Sequence, residues 1–283
     1  TIDARAVERL VTPRTTAVVG VHVWGQNCDT EALEDLCRRR NLRLVFDAAH
    51  AFGNSRAGRM VGRFGDAEVF SFHATKFFNT FEGGAVTTDD GELARRLRQM
   101  QNFGYAGFDE IVSVGTNGKM SEASAAMGLT SFESMDDFVA VNRRNYELYR
   151  RETEGLPGLR LMPYDGRERN NYQYVVFEVD RRRTGVGRDD LVKMFWAENV
   201  LARRYFHPGC HRTEPYRTLY PEAGESLRAT EEVCERVMQL PNGTAVGENE
   251  VRQICRLLRL AVERGEELSA RMEEVRGQRS EVS

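Results

Sequence analysis

Lysine is scarce in this sequence of 283 residues. Of 40 basic residues only three are lysines, and all the others are arginines. An arginine can replace a lysine as a positive charge, but its guanidinium stays protonated and cannot condense with a carbonyl group. A lysine that persists in such a chain is therefore a candidate for covalent chemistry; the three are Lys76, Lys119 and Lys193.

Other absences exclude whole classes of protein. The longest apolar stretches, such as residues 17–23, are too short to span a bilayer. The formal net charge of −3 lacks the basic excess of nucleic-acid-binding proteins. The first residues do not form a charged and then apolar leader. We therefore expect a cytoplasmic protein whose partners include neither a membrane nor a nucleic acid.

Metal, disulfide and dinucleotide sites are disfavoured as well. The five cysteines are odd in number and contain no Cys-x-x-Cys pair, which argues against a disulfide framework and a thiolate zinc site. His207, Cys210 and His211 lie close together without an assigned acidic partner, which is a poor zinc pattern, so we expect no metal. No Gly-x-Gly-x-x-Gly follows the first predicted strand, which argues against a dinucleotide-binding enzyme.

Apolar strands alternate with amphipathic helices in the first half of the chain. Strands are predicted over residues 17–24, 42–46, 67–72 and 84–88, and Asp29 is placed to cap the helix after the first strand. This alternation predicts an α/β domain with a mostly parallel sheet over residues 1–140.

The second half of the chain follows a different pattern. A single long helix is predicted from Ser121 toward Arg151, and it leads into a smaller α+β domain over residues 141–265. That domain contains a strand over residues 172–179 and an amphipathic helix over residues 249–262. Residues 266–283 form a highly charged tail, which we expect to fray.

Three short blocks carry candidate chemistry. Asp-Ala-Ala-His at residues 47–50 places an acid where a strand ends, at the usual ligand edge of an open α/β sheet. Ser-Phe-His-Ala-Thr-Lys at residues 71–76 ends the next strand with Lys76 in the turn. Gly83 and Gly84 allow close backbone approach. Taken singly, each block has a plainer structural interpretation: a capping aspartate, a solvated lysine or a turn.

The order of these blocks is more specific than any one of them. Ser71 and Lys76 follow Asp47 at spacings of 24 and 29 residues, and Gly83-Gly84 comes after them. This arrangement resembles the sugar aminotransferases of the DegT/DnrJ/EryC1/StrS family, over residues 1 to about 265. The resemblance implies the fold of aspartate aminotransferase (fold type I) and the cofactor pyridoxal 5′-phosphate (PLP).

The resemblance also implies roles for individual residues. Lys76 matches the lysine that holds the cofactor and then moves protons during transfer. Relatives that act as dehydratases carry histidine there, so the lysine favours aminotransfer. Asp47 matches the carboxylate that pairs with the pyridine nitrogen.

Further contacts to the cofactor follow from the same resemblance. Ala49 matches a small residue packed on one ring face, and His50 matches a hydrogen-bond partner of the phenolic oxygen. Ser71 matches a phosphate ligand, and His73 is expected near the cofactor. Asn117 matches a residue that reaches the phosphate held by a neighbouring subunit, which implies a homodimer with shared sites.

Two stretches narrow the expected substrate. Residues 72–84 and 204–211 resemble enzymes acting on dTDP-4-keto-6-deoxyglucose, which predicts amination at C4 of a nucleotide-linked sugar with glutamate as the donor. The alternatives are the same chemistry at C3 of a 3-keto sugar, or a noncatalytic regulatory or scaffolding protein with the same fold. Family members extend further at the N-terminus, where a phosphate-binding turn lies, so we expect this sequence to be part of a longer protein.

Overall fold

The computed structural model describes the backbone of residues 1–280 and the side chains of residues 1–274. The chain divides into two compact units. Unit 1 comprises Thr1–Ala140 with Tyr164–Gln173, and unit 2 comprises Val141–Pro163 with the chain from Tyr174 onward. One short segment of unit 1 is thus inserted, in sequence, between two parts of unit 2.

Unit 1 is a mixed α/β structure. Its elements in chain order are α1 (Ala4–Leu10), β1 (Ala17–Val21), a 3-10 turn (Val23–Gly25), α2 (Thr30–Arg40), β2 (Arg43–Asp47), β3 (Ser55–Arg56), β4 (Arg59–Met60), β5 (Ala67–Ser71), β6 (Gly84–Thr87), α3 (Gly91–Met100), α4 (Glu122–Glu133) and the first part of α5 (Met135–Glu152).

The main sheet of unit 1 has the strand order β1-β2-β5-β6. β1 runs parallel to β2, and β2 runs parallel to β5, whereas β6 returns antiparallel to β5 at the edge. The sheet is therefore mostly parallel, as predicted. A core cluster behind it joins Leu33 and Cys37 of α2 to Leu44 and Phe46 of β2, because the helix turns its apolar stripe toward the strands.

Local signals placed most of these elements correctly. Asp29 caps α2 as predicted, since its Oδ1 accepts the N–H of Ala32 at 3.3 Å. The first strand, however, is shorter than predicted and ends at Val21 instead of residue 24. The reason is a reversal at Trp24, whose φ of 56° is left-handed and cannot continue a strand.

The predicted long helix is two helices. Ser121 caps α4, because its side chain accepts the N–H of Ser124. The helix stops at Glu133, and α5 begins at Met135. Ser134 between them has φ −97° and ψ 7°, outside the helical range.

Unit 2 is a small three-stranded antiparallel sheet with helices. Its elements are the rest of α5, β7 (Leu159–Leu161), β8 (Val175–Val179), α6 (Arg181–Thr184), α7 (Arg188–Ala197), a 3-10 turn (Cys210–Arg212), α8 (Tyr216–Leu219), α9 (Ala223–Ser226), α10 (Arg228–Arg236), β9 (Val237–Leu240), α11 (Glu248–Glu263) and α12 (Gly265–Ser280). The strand order is β7-β8-β9.

Burial in unit 2 follows the amphipathic pattern of its sequence. α11 buries Val251, Ile254, Cys255 and Leu258 on one face, which is the spacing of a helix packed on one side. The strand predicted from residue 172 begins only at Val175, because Tyr172 is left-handed with φ 51°. The tail predicted to fray is helical to Ser280, and residues 281–283 lie outside the described residues.

Candidate active site

The carboxyl edge of the main sheet carries the strand ends and loops that contain all the predicted site residues except Asn117. Asp47 ends β2, Ser71 ends β5, and parallel pairing sets Asp47 opposite both Val21 and Val69. Backbone hydrogen bonds continue past the strand ends, since the His22 N–H donates to the Asp47 carbonyl at 3.0 Å and the Ala48 N–H donates to the Val69 carbonyl at 2.8 Å. The loops that follow these strands therefore start from fixed positions.

Asp47 is a half-buried carboxylate close to the amine of Lys76. Its Oδ1 accepts the backbone N–H of Ala49 at 3.0 Å, which orients the carboxylate. Its negative charge acts on Lys76 by raising the pKa of that amine. Ala49 is itself half-buried.

Lys76 lies in the turn after β5 and is half-buried. Burial lowers the pKa of its amine below the ordinary lysine value, and the attraction of Asp47 offsets only part of this effect. A lowered pKa increases the neutral fraction of the amine near physiological pH. Because only the neutral amine is nucleophilic, this environment favours attack on a carbonyl group.

The imidazole of His50 lies near the positive charge of Lys76. Its Nδ1 accepts the backbone N–H of Trp24 at 3.0 Å, so the neutral ring carries its proton on Nε2, which makes Nε2 a donor. Burial and then the positive charge of Lys76 lower the pKa of His50 to about 4. The imidazole is therefore neutral near physiological pH. The structure thus brings Asp47, His50 and Lys76 into one electrostatic cluster.

Ser71 and His73 shape the approach to Lys76. The Ser71 Oγ accepts the N–H of His73 at 3.4 Å. The Nδ1 of His73 lies 2.8 Å from the hydroxyl of Thr75, and its Nε2 lies 3.6 Å from Glu82. His73 is exposed and organises its own turn; its expected proximity to a cofactor stays a prediction.

The two predicted glycines allow the backbone to pass closely here. A β-carbon on Gly84 would lie 2.5 Å from the carbonyl oxygen of Phe70, and one on Gly83 would lie 2.6 Å from the Thr80 hydroxyl. Gly83 also has φ 150°, which side-chain-bearing residues rarely adopt. These positions therefore require glycine to close the turn that carries Lys76.

Asn117 lies elsewhere, on the exposed loop between α3 and α4. It forms an isolated bridge with Asn102, whose side-chain oxygen accepts a hydrogen bond from Lys119 at 3.0 Å. Several large apolar side chains are exposed on the same loop, including Phe108 and Val114.

The remaining histidines have structural partners. His22 is fully buried and lies 3.3 Å from Glu68. In unit 2, His211 lies 2.6 Å from Glu231, and His207 lies 3.4 Å from Arg188. Across the described residues, no group of three or more His, Cys, Asp or Glu side chains is arranged to hold a metal ion.

Sequence reasoning missed the residues that brace the site. Asn54 and Asn171 are buried, and the Asn171 N–H donates to the Asn54 Oδ1 at 2.8 Å. The Asn54 amide also donates to the Gly25 carbonyl at 2.9 Å. The only sequence signal was a run of amides and aromatics, Asn-Asn-Tyr-Gln-Tyr, at residues 170–174.

The side chains of the cluster fit PLP by their chemistry. An amine of lowered pKa suits its aldehyde, and a carboxylate suits its pyridine nitrogen. A neutral histidine that donates from Nε2 suits its phenolic oxygen, and the small Ala49 leaves room for a planar ring. A mostly parallel α/β sheet with a lysine in a turn at its carboxyl edge is typical of fold type I PLP enzymes.

Comparison with known proteins gives the family. The DegT/DnrJ/EryC1/StrS aminotransferase family matches residues 1–259. The dTDP-4-amino-4,6-dideoxy-D-glucose transaminase of Shigella dysenteriae is 36% identical over 239 residues, which cover 84% of this chain and 64% of that protein. The dTDP-3-amino-3,4,6-trideoxy-alpha-D-glucose transaminase of Micromonospora megalomicea subsp. nigra is 34% identical over 252 residues, which cover 85% and 64%.

A solved structure is similar over nearly the whole chain. DesI, determined in the presence of its TDP-sugar product, matches with a TM-score of 0.90 and 49% identity over 96% of this chain and 69% of DesI. The chain belongs to the DegT/DnrJ/EryC1/StrS aminotransferase family, whose members depend on PLP. This confirms the family, fold class and cofactor predicted from the ordered motifs.

Two further findings concern the length of the chain and its helices. It spans 64% of the length of the Shigella and Micromonospora relatives. Within residues 1–280, no helix combines the length and apolar character needed to cross a membrane.

Proposed function

We propose that this chain carries the PLP site of an aminotransferase that transfers an amino group to the C4 ketone of a dTDP-linked 4-keto-6-deoxy sugar. The observation that carries the proposal is the half-buried amine of Lys76, whose pKa is lowered by burial while the carboxylate of Asp47 lies close by. An amine in this environment is suited both to attack a carbonyl and to exchange protons near neutral pH.

Each residue of the cluster has a role in this proposal. PLP, when bound, supplies an electron sink for the electrons of a broken Cα–H bond. Lys76 would hold the cofactor, and its neutral amine would accept the Cα proton of the amino-acid donor. Asp47 would keep a proton on the pyridine nitrogen, and His50 would donate from Nε2 to the phenolic oxygen. Ser71 would bind the phosphate.

The choice of C4 rests on the relatives. The Shigella enzyme is named for a 4-amino sugar and is 36% identical, whereas the Micromonospora enzyme is named for a 3-amino sugar and is 34% identical over a similar span. The higher identity supports C4, with amination at C3 as the alternative. The presence of a TDP-sugar product in the DesI structure supports a nucleotide-linked substrate. Glutamate is the proposed donor.

A homodimer is part of the proposal. The loop that carries Asn117 exposes Phe108, Ile111 and Val114, and contiguous exposed apolar side chains favour association. A second copy of the chain packed there would let Asn117 reach the cofactor phosphate of its neighbour.

The test is product analysis by NMR. The wild-type chain is incubated with PLP, glutamate and dTDP-4-keto-6-deoxyglucose, and the nitrogen is located on the sugar ring. We expect nitrogen at C4 with the wild type and with Lys193→Arg, which keeps an exposed charge elsewhere, and no product with Lys76→Arg.

Two other outcomes would favour the alternatives. Turnover of a 3-keto sugar in place of the 4-keto sugar would support the C3 reaction. Failure of the wild-type chain to take up PLP, together with a Lys76→Ala variant that keeps the biological role, would support the noncatalytic alternative.

A further inference from the structure

Residues 164–173 belong to unit 1, although in the sequence they lie between two parts of unit 2. Within unit 1 this segment makes hydrogen bonds to the reversal at Trp24, to the loop that carries His50 and to the turn that carries Lys76. The Tyr164 hydroxyl donates to the Trp24 carbonyl at 3.3 Å, and Trp24 is the residue whose N–H binds His50. We call residues 164–173 the return segment.

Asn171 of the return segment holds the loop that carries His50. Its amide nitrogen donates to the carbonyl of His50 at 2.9 Å and to that of Phe52 at 3.1 Å. Its backbone N–H is bound by Asn54. Asn171 is 1% exposed, so these polar groups depend on protein partners, and breaking any of the bonds is costly.

Gln173 holds the turn that carries Lys76. Its Nε2 donates to the carbonyl of Thr75 at 2.9 Å, across 98 positions of sequence. Its own backbone N–H donates to the Oδ1 of Asn171 at 3.1 Å. The two bracing residues are therefore joined to each other, and through them the His50 loop is joined to the Lys76 turn.

The backbone between them is left-handed. Tyr172 has φ 51°, a conformation that costs free energy in a residue with a β-carbon and persists only where the surroundings fix it. The ring of Tyr172 is buried against Tyr164, with centroids 4.7 Å apart.

From this geometry we infer that Asn171 and Gln173 are positioning residues, which set the His50 loop and the Lys76 turn at a fixed spacing before the cofactor binds. The inference rests on the proposed function and deepens it. Gln173 holds the Lys76 turn through the Thr75 carbonyl, and Asn171 keeps the His50 loop in place.

The chain supplies a matched control one residue away. Asn170 is also buried and its amide also donates to two carbonyls, but these belong to Asp165 and Glu168, inside the return segment itself. Asn170→Asp therefore removes the same kind of hydrogen bond without touching the site. Asn171→Asp removes the donors to the His50 loop but keeps an acceptor for Gln173.

The first measurement is hydrogen exchange by mass spectrometry, without cofactor. We expect about tenfold faster exchange in peptides of residues 48–53 for Asn171→Asp, and in peptides of residues 72–77 for Gln173→Ala. Asn170→Asp should change neither region. Equal loosening by Asn170→Asp and Asn171→Asp would overturn the inference. If the Asn171 variant fails to fold, the Gln173→Ala variant still tests the inference, because Gln173 is only half-buried and its effect is measured on residues 72–77.

The second measurement is the pH dependence of PLP attachment, followed by absorbance and by borohydride trapping on Lys76. Opening the turn admits water, so Gln173→Ala should move the pKa of the amine toward its ordinary value and slow attachment about threefold to tenfold at neutral pH. An unchanged pH profile would contradict the inference. If the wild-type chain takes up no PLP, the proposed function fails, and hydrogen exchange alone still tests the bracing.

Discussion

The candidate site has a buried half and an exposed half. In residues 47–55, after β2, Ala48, Ala51, Gly53 and Asn54 are buried, and the loop is crossed by hydrogen bonds from the return segment. In residues 73–82, after β5, His73, Thr75, Phe81 and Glu82 are exposed. The carboxylate and the imidazole belong to the first half, and the amine belongs to the second.

This difference matches what each group has to do. A carboxylate that holds a proton on a ring and a histidine that donates to an oxygen work best when fixed, because preorganised groups need no rearrangement during reaction. An amine that first holds a cofactor and then carries protons has to move. The exposed neighbours His73 and Thr75 leave room for that movement.

The largest expected effect comes from the charge in the buried half. Asp47→Asn keeps an oxygen to accept the Ala49 N–H but removes the negative charge. We expect kcat/KM to fall by a factor on the order of 10²–10³ while PLP still attaches to Lys76. Steady-state kinetics and absorbance measure the two effects separately. The control is Asp90→Asn, at the exposed cap of α3, which should change neither kcat/KM nor PLP attachment. An Asp47→Asn variant with wild-type kcat/KM would show that the charge of Asp47 has no part in the reaction.

The next effect is acid sensitivity caused by His50. Burial lowers its pKa from 6.5 to about 4. Between these values the unfolded chain binds a proton at His50 and the folded chain does not, so stability falls as pH decreases from 6.5 toward 4, by up to about 3 kcal/mol. Urea unfolding at pH 7 and pH 4.5 measures it. His50→Gln should flatten this dependence, and the exposed His73→Gln should not; equal slopes in all three proteins would contradict the assignment.

A smaller effect is expected from the bracing of the buried half. Asn54→Ala leaves the Gly25 carbonyl and the Asn171 N–H without their partner, and we expect a loss of about 1–3 kcal/mol in the free energy of unfolding. Chemical denaturation at neutral pH is the measurement. A loss below the error of the method would show that these loops are held mainly by packing.

The smallest effect belongs to the exposed half. Thr75→Ala removes a hydroxyl that contacts His73 near the surface, and we expect stability to stay within about 0.5 kcal/mol of the wild type. The same denaturation experiment tests it beside Asn54→Ala. A loss as large as that of Asn54→Ala would erase the distinction between the two halves.

Local sequence predicted the strand ends that carry Asp47 and Lys76, because apolar runs and turn residues act over a few positions. It did not predict the left-handed Trp24 and Tyr172, which are aromatic residues forced into that conformation by tertiary contacts. Nor did it predict the bond between Asn54 and Asn171, which joins positions 117 residues apart. The cofactor roles assigned to Asp47, Ala49, His50, Ser71, His73, Lys76 and Asn117 stay predictions.

The scarcity of lysine gives the Lys76 amine one further consequence: it is a built-in chemical reporter. Lys119 and Lys193 are exposed, so an intact-mass spectrum after brief acylation can show at most a few labelled species. The lowered pKa of Lys76 favours its modification near neutral pH. Protection of that one amine would report site occupancy directly, without an engineered tag.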